Sequence, residues 1–199
     1  MWSGLVFAGG ESRRMGRDKA LLTIAGRTLL ERAVATIREA GGAPLVLGPR
    51  REGAGLERVR FIDETADGGM RIGPLGALRH GLRACETRVA VALACDLPLV
   101  PSRFLAFLAG EAASHTAVVP RARGELQVLA AAYTRSCLEA IERRVESGRL
   151  SVHGFLDEVD ARLIESEELA LFGGEPIFLN VNSPEDLVTA SRILAESRP

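Results

Sequence analysis

Val89 to Cys95 reads Val-Ala-Val-Ala-Leu-Ala-Cys, an unbroken apolar run that stops at Asp96. A strand that is apolar on successive residues has both faces covered, as parallel strands do when helices pack above and below them. The run is far too short to cross a bilayer, so its cover must be protein. Leu5-Val6-Phe7-Ala8, Leu45-Val46-Leu47 and Val59 to Ile62 repeat the pattern, and Thr116 to Val119, Gln127 to Tyr133 and Arg162-Leu163-Ile164 add later candidate strands. Helical spacing fills the intervals. Thr28 to Ala40 carries a Thr28-x-x-Glu31 capping box, apolar residues at Leu30, Ala33, Val34 and Ile37, and a stop at Gly41-Gly42. Further helices are expected from Gly73 to Cys85, from a cap at Ser102 to about Ala113, from Arg135 to Glu146, and more weakly over Ser151 to Val159. Ser183 as N-cap, Pro184 at the first helical position and the acids Glu185 and Asp186 mark a last helix start. Such alternation predicts an α/β fold, a mostly parallel twisted sheet with helices on both faces.

With 199 residues the chain can bury one full core and is short for two domains, so residues 1–199 are expected to form one domain. Its 25 basic and 26 acidic residues leave a net charge of −1, which argues against a protein that coats nucleic acid. The N-terminal apolar run meets Gly9 and then charges before a signal-peptide core could form, so the expected location is cytoplasmic, with no membrane partner. Cys85, Cys95 and Cys137 form no C-x-x-C pair and no metal-ligand spacing with His80, His115 or His153. They are expected to be free thiols packed as small apolar groups; Cys95 as a nucleophile has no nearby histidine in the sequence.

The basic residues are strongly biased. Lys19 is the only lysine among the 25, leaving 24 arginines, and Asn180 and Asn182 are the only asparagines. Lys and Arg differ in hydration and donor geometry, so a lone lysine is expected where a point-charge ammonium is needed; chance placement is the alternative. Lys19 ends Ala8-Gly9-Gly10-Glu11-Ser12-Arg13-Arg14-Met15-Gly16-Arg17-Asp18-Lys19, directly after the first strand, where open α/β sheets place their ligand crevice. Glycines let backbone N–H groups approach a phosphate, and Arg and Lys neutralise it; the bland alternative is a solvated basic turn. The segment fits neither G-x-G-x-x-G nor the P-loop pattern. Asp96, at the carboxyl end of the strongest strand, can hold Mg²⁺ against phosphate oxygens or simply make an Asx-turn. In Asn180-Val181-Asn182 an extended backbone would aim both amides at one target, or the amides could satisfy a turn before the last helix.

These residues closely resemble those of the molybdenum cofactor guanylyltransferases, within the nucleotidyltransferase fold of the nucleotide-sugar pyrophosphorylase type. The matching pieces, in the family's order, are the glycine-arginine-lysine loop, Gly73-Pro74-Leu75, Cys95-Asp96-Leu97-Pro98, Gln127-x-Leu129-x-Ala131-x-Tyr133, Ser147-Gly148 with Phe155-Leu156, and Asn180-Val181-Asn182-Ser183-Pro184-Glu185-Asp186-Leu187. The resemblance implies Mg²⁺-dependent transfer of GMP from GTP to molybdopterin with release of pyrophosphate. By position, it implies that Phe7, Ala8 and Gly9 line guanine and ribose, Gly10 and Arg14 approach the phosphates, Lys19 binds the triphosphate, and Asp63 assists base recognition. Gly73 would border the nucleotide, Asp96 would bind Mg²⁺, and Asn180 and Asn182 would face the reacting phosphates or the pterin. Residues 1–100 would then form the nucleotide half and 101–199 the acceptor half, with cofactor-synthesis and cofactor-insertion proteins as partners. The sequence departs from the pattern at Phe7, at Gly48-Pro49 where an asparagine is common, at Gly76-Ala77 and at Val128. A cytidylyltransferase acting on the same cofactor and a non-catalytic nucleotide-binding module are the alternative readings; the joint presence of Lys19 and Asp96 speaks against the second.

Overall fold

The structure, a computed structural model, describes residues 1–9, 18–63 and 73–196. The chain runs β1 (Ser3–Phe7), a short 3-10 turn (Lys19–Leu21), a small hairpin of β2 (Thr23–Ile24) and β3 (Arg27–Thr28), α1 (Leu29–Glu39), β4 (Ala43–Leu47), β5 (Arg60–Ile62), α2 (Gly73–Ala84) and β6 (Val89–Ala94). It continues with α3 (Ser102–Glu111), β7 (Ala117–Ala122), β8 (Glu125–Leu126), β9 (Ala132–Thr134), α4 (Cys137–Glu146), α5 (Val152–Leu156), β10 (Ala161–Ile164), α6 (Ser166–Ala170), a second 3-10 turn (Glu175–Phe178) and α7 (Pro184–Glu196). The main sheet has the order β10-β7-β9-β6-β1-β4-β5, with β8 paired to β7. On that path only β9 runs against its neighbours, while β6, β1, β4 and β5 are mutually parallel.

Residue parity along the strands divides the core in two, as expected when successive side chains point to opposite faces. Val6, Val46, Val91, Leu93 and Val118 pack with α1 and α3, whereas Leu5, Leu45, Leu47, Ala92 and Val119 pack with α2, α4 and α5. The Thr28 capping box is present on both sides: Glu31 N–H donates to Thr28 Oγ1 at 3.1 Å and Thr28 N–H to Glu31 Oε2 at 2.8 Å. Gly4 lies where β1 meets α1, and a Cβ there would fall inside the fully buried Ile37 side chain. Gly4→Ala should therefore cost about 1–3 kcal/mol through overpacking. Thermal unfolding reads this as a melting point lower by roughly 2–4 °C per kcal/mol, and an unchanged melting point would show that α1 can retreat from β1.

Three local readings are corrected. Ser102 is the first helical residue of α3 and the cap position belongs to Pro101, which has no side chain to bond the turn. The expected strand Gln127 to Tyr133 is divided, because Ala130 N–H donates back to the Gln127 carbonyl at 2.9 Å; regular strand is confined to Ala132–Thr134, with β8 upstream. The helix expected over Ser151 to Val159 is confined to Val152–Leu156, with Ser151 as its cap. All three cysteines are buried and unpaired in disulfides, as expected. Among the described residues no helix is long and apolar enough to cross a membrane.

Candidate active site

The carboxyl ends of the parallel strands gather the residues with chemistry. β1 ends at Phe7, and its exit is stitched to both neighbours: Cys95 N–H donates to the Phe7 carbonyl at 3.1 Å and Ala8 N–H to that of Leu47 at 3.0 Å. Ala8 is buried, so this turn offers backbone to a ligand rather than side chain. Gly48 follows β4 with φ +145°, and a Cβ there would lie 3.0 Å from the Ala8 carbonyl carbon and oxygen. A side chain would be tight against Ala8, and φ +145° is a backbone conformation that residues other than glycine rarely adopt, so glycine suits this position. Asp63 follows β5 on the same edge of the sheet, two strands from β1 or roughly 10 Å across. Gly73, at φ +71°, opens α2. Gly10 and Arg14 lie outside the described residues.

Lys19 and Asp96 meet. Lys19 Nζ is 2.5 Å from Asp96 Oδ2, with side chains only 18% and 23% exposed, and it also donates to Asn182 Oδ1 at 2.7 Å. A carboxylate only accepts, so the Asn180 amide turns its nitrogen to Asp96, within 3.0 Å of Oδ1 and 3.2 Å of Oδ2. The chain's one lysine and Asn180 thus meet at Asp96, and Asn182, the other asparagine, joins them through Lys19.

What brings residues so far apart in sequence together is a small satellite core. Val181 is fully buried with Ile24, Leu29 and Ala190, joining the hairpin, α1 and α7. Its N–H donates to the Asp96 carbonyl at 2.9 Å, which sets the Asn180-Val181-Asn182 backbone beside the end of β6. With Val181 pointing into that core, the neighbouring asparagines remain exposed to reach Asp96 and Lys19. The last helix start then locks the segment. Ser183 Oγ accepts from Asp186 N–H at 3.2 Å, while Asp186 Oδ2 accepts from the N–H groups of Ser183 at 2.8 Å and Asn182 at 2.9 Å. The Asn182 and then the Ser183 hydrogen bonds hold the Asp186 carboxyl below its usual range, so it stays charged at the helix start.

Cys95, next to the site, is no nucleophile. Burial, and then the neighbouring Asp96 charge, push its thiol up to about 12, so thiolate is negligible near neutral pH. Two residues that the sequence reading left without a role belong to the site's margin, Asp18 and Arg51, which form a two-pronged ion pair at 2.6 and 3.1 Å. Asp18 could have been suspected from its place before Lys19; Arg51 had no signal among two dozen arginines.

Residues 4–161 match the model of the MobA-like NTP transferase domain. The chain belongs to the MobA-like NTP transferase family. A probable molybdenum cofactor guanylyltransferase of Pelotomaculum thermopropionicum is 31% identical over 98% of this chain and 94% of its own length. One from Thermococcus kodakarensis is 33% identical, over 98% and 97% respectively. The molybdopterin-guanine dinucleotide biosynthesis protein A of Archaeoglobus fulgidus superposes with a TM-score of 0.79 at 25% identity, covering 98% of this chain and 100% of that one. At 22% identity, the 2-C-methyl-D-erythritol 4-phosphate cytidylyltransferase of Thermus thermophilus shares the fold, with a TM-score of 0.72 over 97% and 98%. As a MobA-like enzyme the protein is a nucleotidyltransferase, and the sheet edge bearing Lys19 and Asp96 is its candidate active site.

Proposed function

We propose that the protein transfers GMP from GTP to the phosphate of molybdopterin, forming molybdopterin guanine dinucleotide and pyrophosphate in the cytoplasm. The observation that carries this reading is the Lys19, Asp96, Asn180 and Asn182 constellation at the carboxyl edge of the sheet, in a chain whose relatives are named molybdenum cofactor guanylyltransferases. An acceptor phosphate oxygen attacks the α-phosphorus in line, one P–O bond forms, and the bond to pyrophosphate breaks. An acceptor phosphate is already ionised near neutral pH, so no general base is needed. The enzyme's work is therefore positioning and charge stabilisation. Lys19 neutralises the triphosphate, and the backbone of Phe7, Ala8 and Gly9 lies along guanine and ribose with Gly73 at the border. Gly10 and Arg14 join at the phosphates and Asp63 at the base.

The residues fit Mg²⁺ in one manner. No cluster of three or more His, Cys, Asp or Glu that could hold a metal occurs among the described residues, so an all-protein cage is not expected. A partly exposed single carboxylate at a strand end suits Mg²⁺, which binds through one or two carboxylates plus substrate phosphates. Asp96 would hold it, and the ion would supply positive charge to the phosphate oxygens. Asn180, by donating to both Asp96 oxygens, keeps that carboxylate oriented.

The deciding experiment is mass detection of pyrophosphate and a pterin dinucleotide after incubation with molybdopterin, Mg²⁺ and each nucleoside triphosphate in turn. GTP-specific product is the expected result; product from CTP alone would make the enzyme a cytidylyltransferase, and none with any nucleotide would remove the proposed reaction. The two asparagines are assigned to the acceptor side, where neutral amides serve an incoming phosphate better than the acids of α7. Replacing both with Ala should lower molybdopterin transfer more than GTP affinity, by about tenfold or more. Titration of GTP into the double variant, alongside dinucleotide formation, makes the comparison. Equal losses would move Asn180 and Asn182 to the nucleotide side, the outcome to which their contacts with Lys19 and Asp96 would then be traced.

A further inference from the structure

Lys19 is tethered at its tip by Asp96 and Asn182, but its backbone origin is set by other residues. It opens the 3-10 turn Lys19–Leu21, whose cap is Asp18: Asp18 Oδ1 accepts from Ala20 N–H at 3.1 Å. The same carboxylate receives Arg51 with both prongs, Nε to Oδ2 at 2.6 Å and Nη2 to Oδ1 at 3.1 Å. The third guanidinium nitrogen donates to the Pro49 carbonyl at 3.2 Å, and the Arg51 side chain is only 9% exposed. An ordinary surface ion pair would matter little. This one is bidentate, with the arginine covered and the Asp18 side chain 38% exposed, and each guanidinium nitrogen has a protein acceptor, so it fixes geometry. The loop after β4 therefore grips the start of the site twice, through Gly48 against Ala8 and through Arg51 on Asp18.

We propose that Arg51 is a positioning residue for Lys19: by holding Asp18 it fixes the turn from which the lysine stem departs, and it does so without touching the nucleotide. The proposal rests on the function given above, insofar as the anion that Lys19 serves is a nucleoside triphosphate. A lysine stem has four carbons of freedom, so an ammonium reaches a fixed point reproducibly only if its Cα is fixed first. Three of its five N–H donors are spent on Asp18 and Pro49, so the guanidinium is oriented towards the turn that carries Lys19.

The test removes the pair without changing net charge. The double variant Asp18→Asn, Arg51→Gln keeps an acceptor oxygen at the cap and is compared with its parent in two backgrounds, Lys19 and Lys19→Ala. Where Lys19 is present, the affinity for Mg·GTP should fall by about tenfold; where it is absent, the pair should make less than about a twofold difference, because a residue acting through Lys19 has nothing left to act on. Equal losses in the two backgrounds would overturn the proposal in favour of direct nucleotide contact or general support of the fold. No loss in the Lys19 background would overturn it as well. A second readout needs no nucleotide. Because Lys19 is the only lysine, ¹⁵N-lysine labelling gives one side-chain signal, expected to move towards that of an unstructured lysine in the double variant while the melting point stays near the parent's. An unmoved signal counts against the positioning role. If the parent binds no nucleoside triphosphate, the proposed function fails while the lysine signal still decides the role of Arg51.

Discussion

Lys19→Ala lowers turnover by roughly 10²–10³-fold and leaves the protein folded, the scale expected when one preorganised charge-stabilising donor is lost. Asp96 at 2.5 Å and Asn182 at 2.7 Å are among its hydrogen-bond partners, and both are themselves functional candidates. Its ion pair is mostly covered, so its loss, which leaves Asp96 without the cation, should cost folding about 1–3 kcal/mol. Steady-state turnover with a melting curve on the same sample separates the two effects, and near-normal turnover would end the phosphate role of Lys19. Lys19→Arg should also be impaired. One ammonium nitrogen here serves two acceptors from different chain segments, whereas a guanidinium spreads its donors over a planar fork.

Asp96→Asn abolishes most Mg²⁺-dependent transfer, by about 10²-fold or more, on the several-kcal/mol scale of metal charge stabilisation. The substitution nearly preserves volume and leaves an acceptor for Lys19, so the site should stay assembled around a neutral group. Only the charge is withdrawn. Transfer measured across a Mg²⁺ titration, beside thermal unfolding, is the check; a melting point within about 4 °C of the parent's is expected, the shift of a roughly 1 kcal/mol change in a chain of this size. An unchanged Mg²⁺ dependence would refute the assignment of Asp96 to the metal.

The parts of this fold that could be read from the sequence are those whose signals are local. Val89 to Cys95 announces a covered strand, Thr28 and Glu31 announce the start of α1, and Ser183-Pro184 announces α7, because in each case the residues that make the element lie within one turn or one strand of each other. The β2 and β3 hairpin escaped notice: its turn is Ala25-Gly26, with Ala25 at φ 49°, a conformation that alanine seldom adopts and that no local preference foretells. Tyr133 shows the opposite failure. Its apolar run looks continuous, yet the hydroxyl donates to the Val128 carbonyl at 2.7 Å across a turn, so the run folds back where a strand was expected. Within the site, rarity exposed Lys19, Asn180 and Asn182. Rarity could not expose Arg51, whose importance lies in where the loop after β4 ends up.

The burial of Val181 beside Ile24 and Ala190 carries a consequence for the order of events during synthesis. Lys19 and Asn182 are 163 positions apart, and the hydrophobic contact that draws them together involves α7. A growing chain can pair β1, β4, β5 and β6 long before α7 exists, yet the lysine's asparagine clamp has nothing to anchor it until that helix docks. Contacts of such sequence separation form late because their loop-closure cost must be met first. A ribosome-bound intermediate would therefore hold a nearly finished sheet and an unfinished catalytic centre, and would become competent only with its final helix.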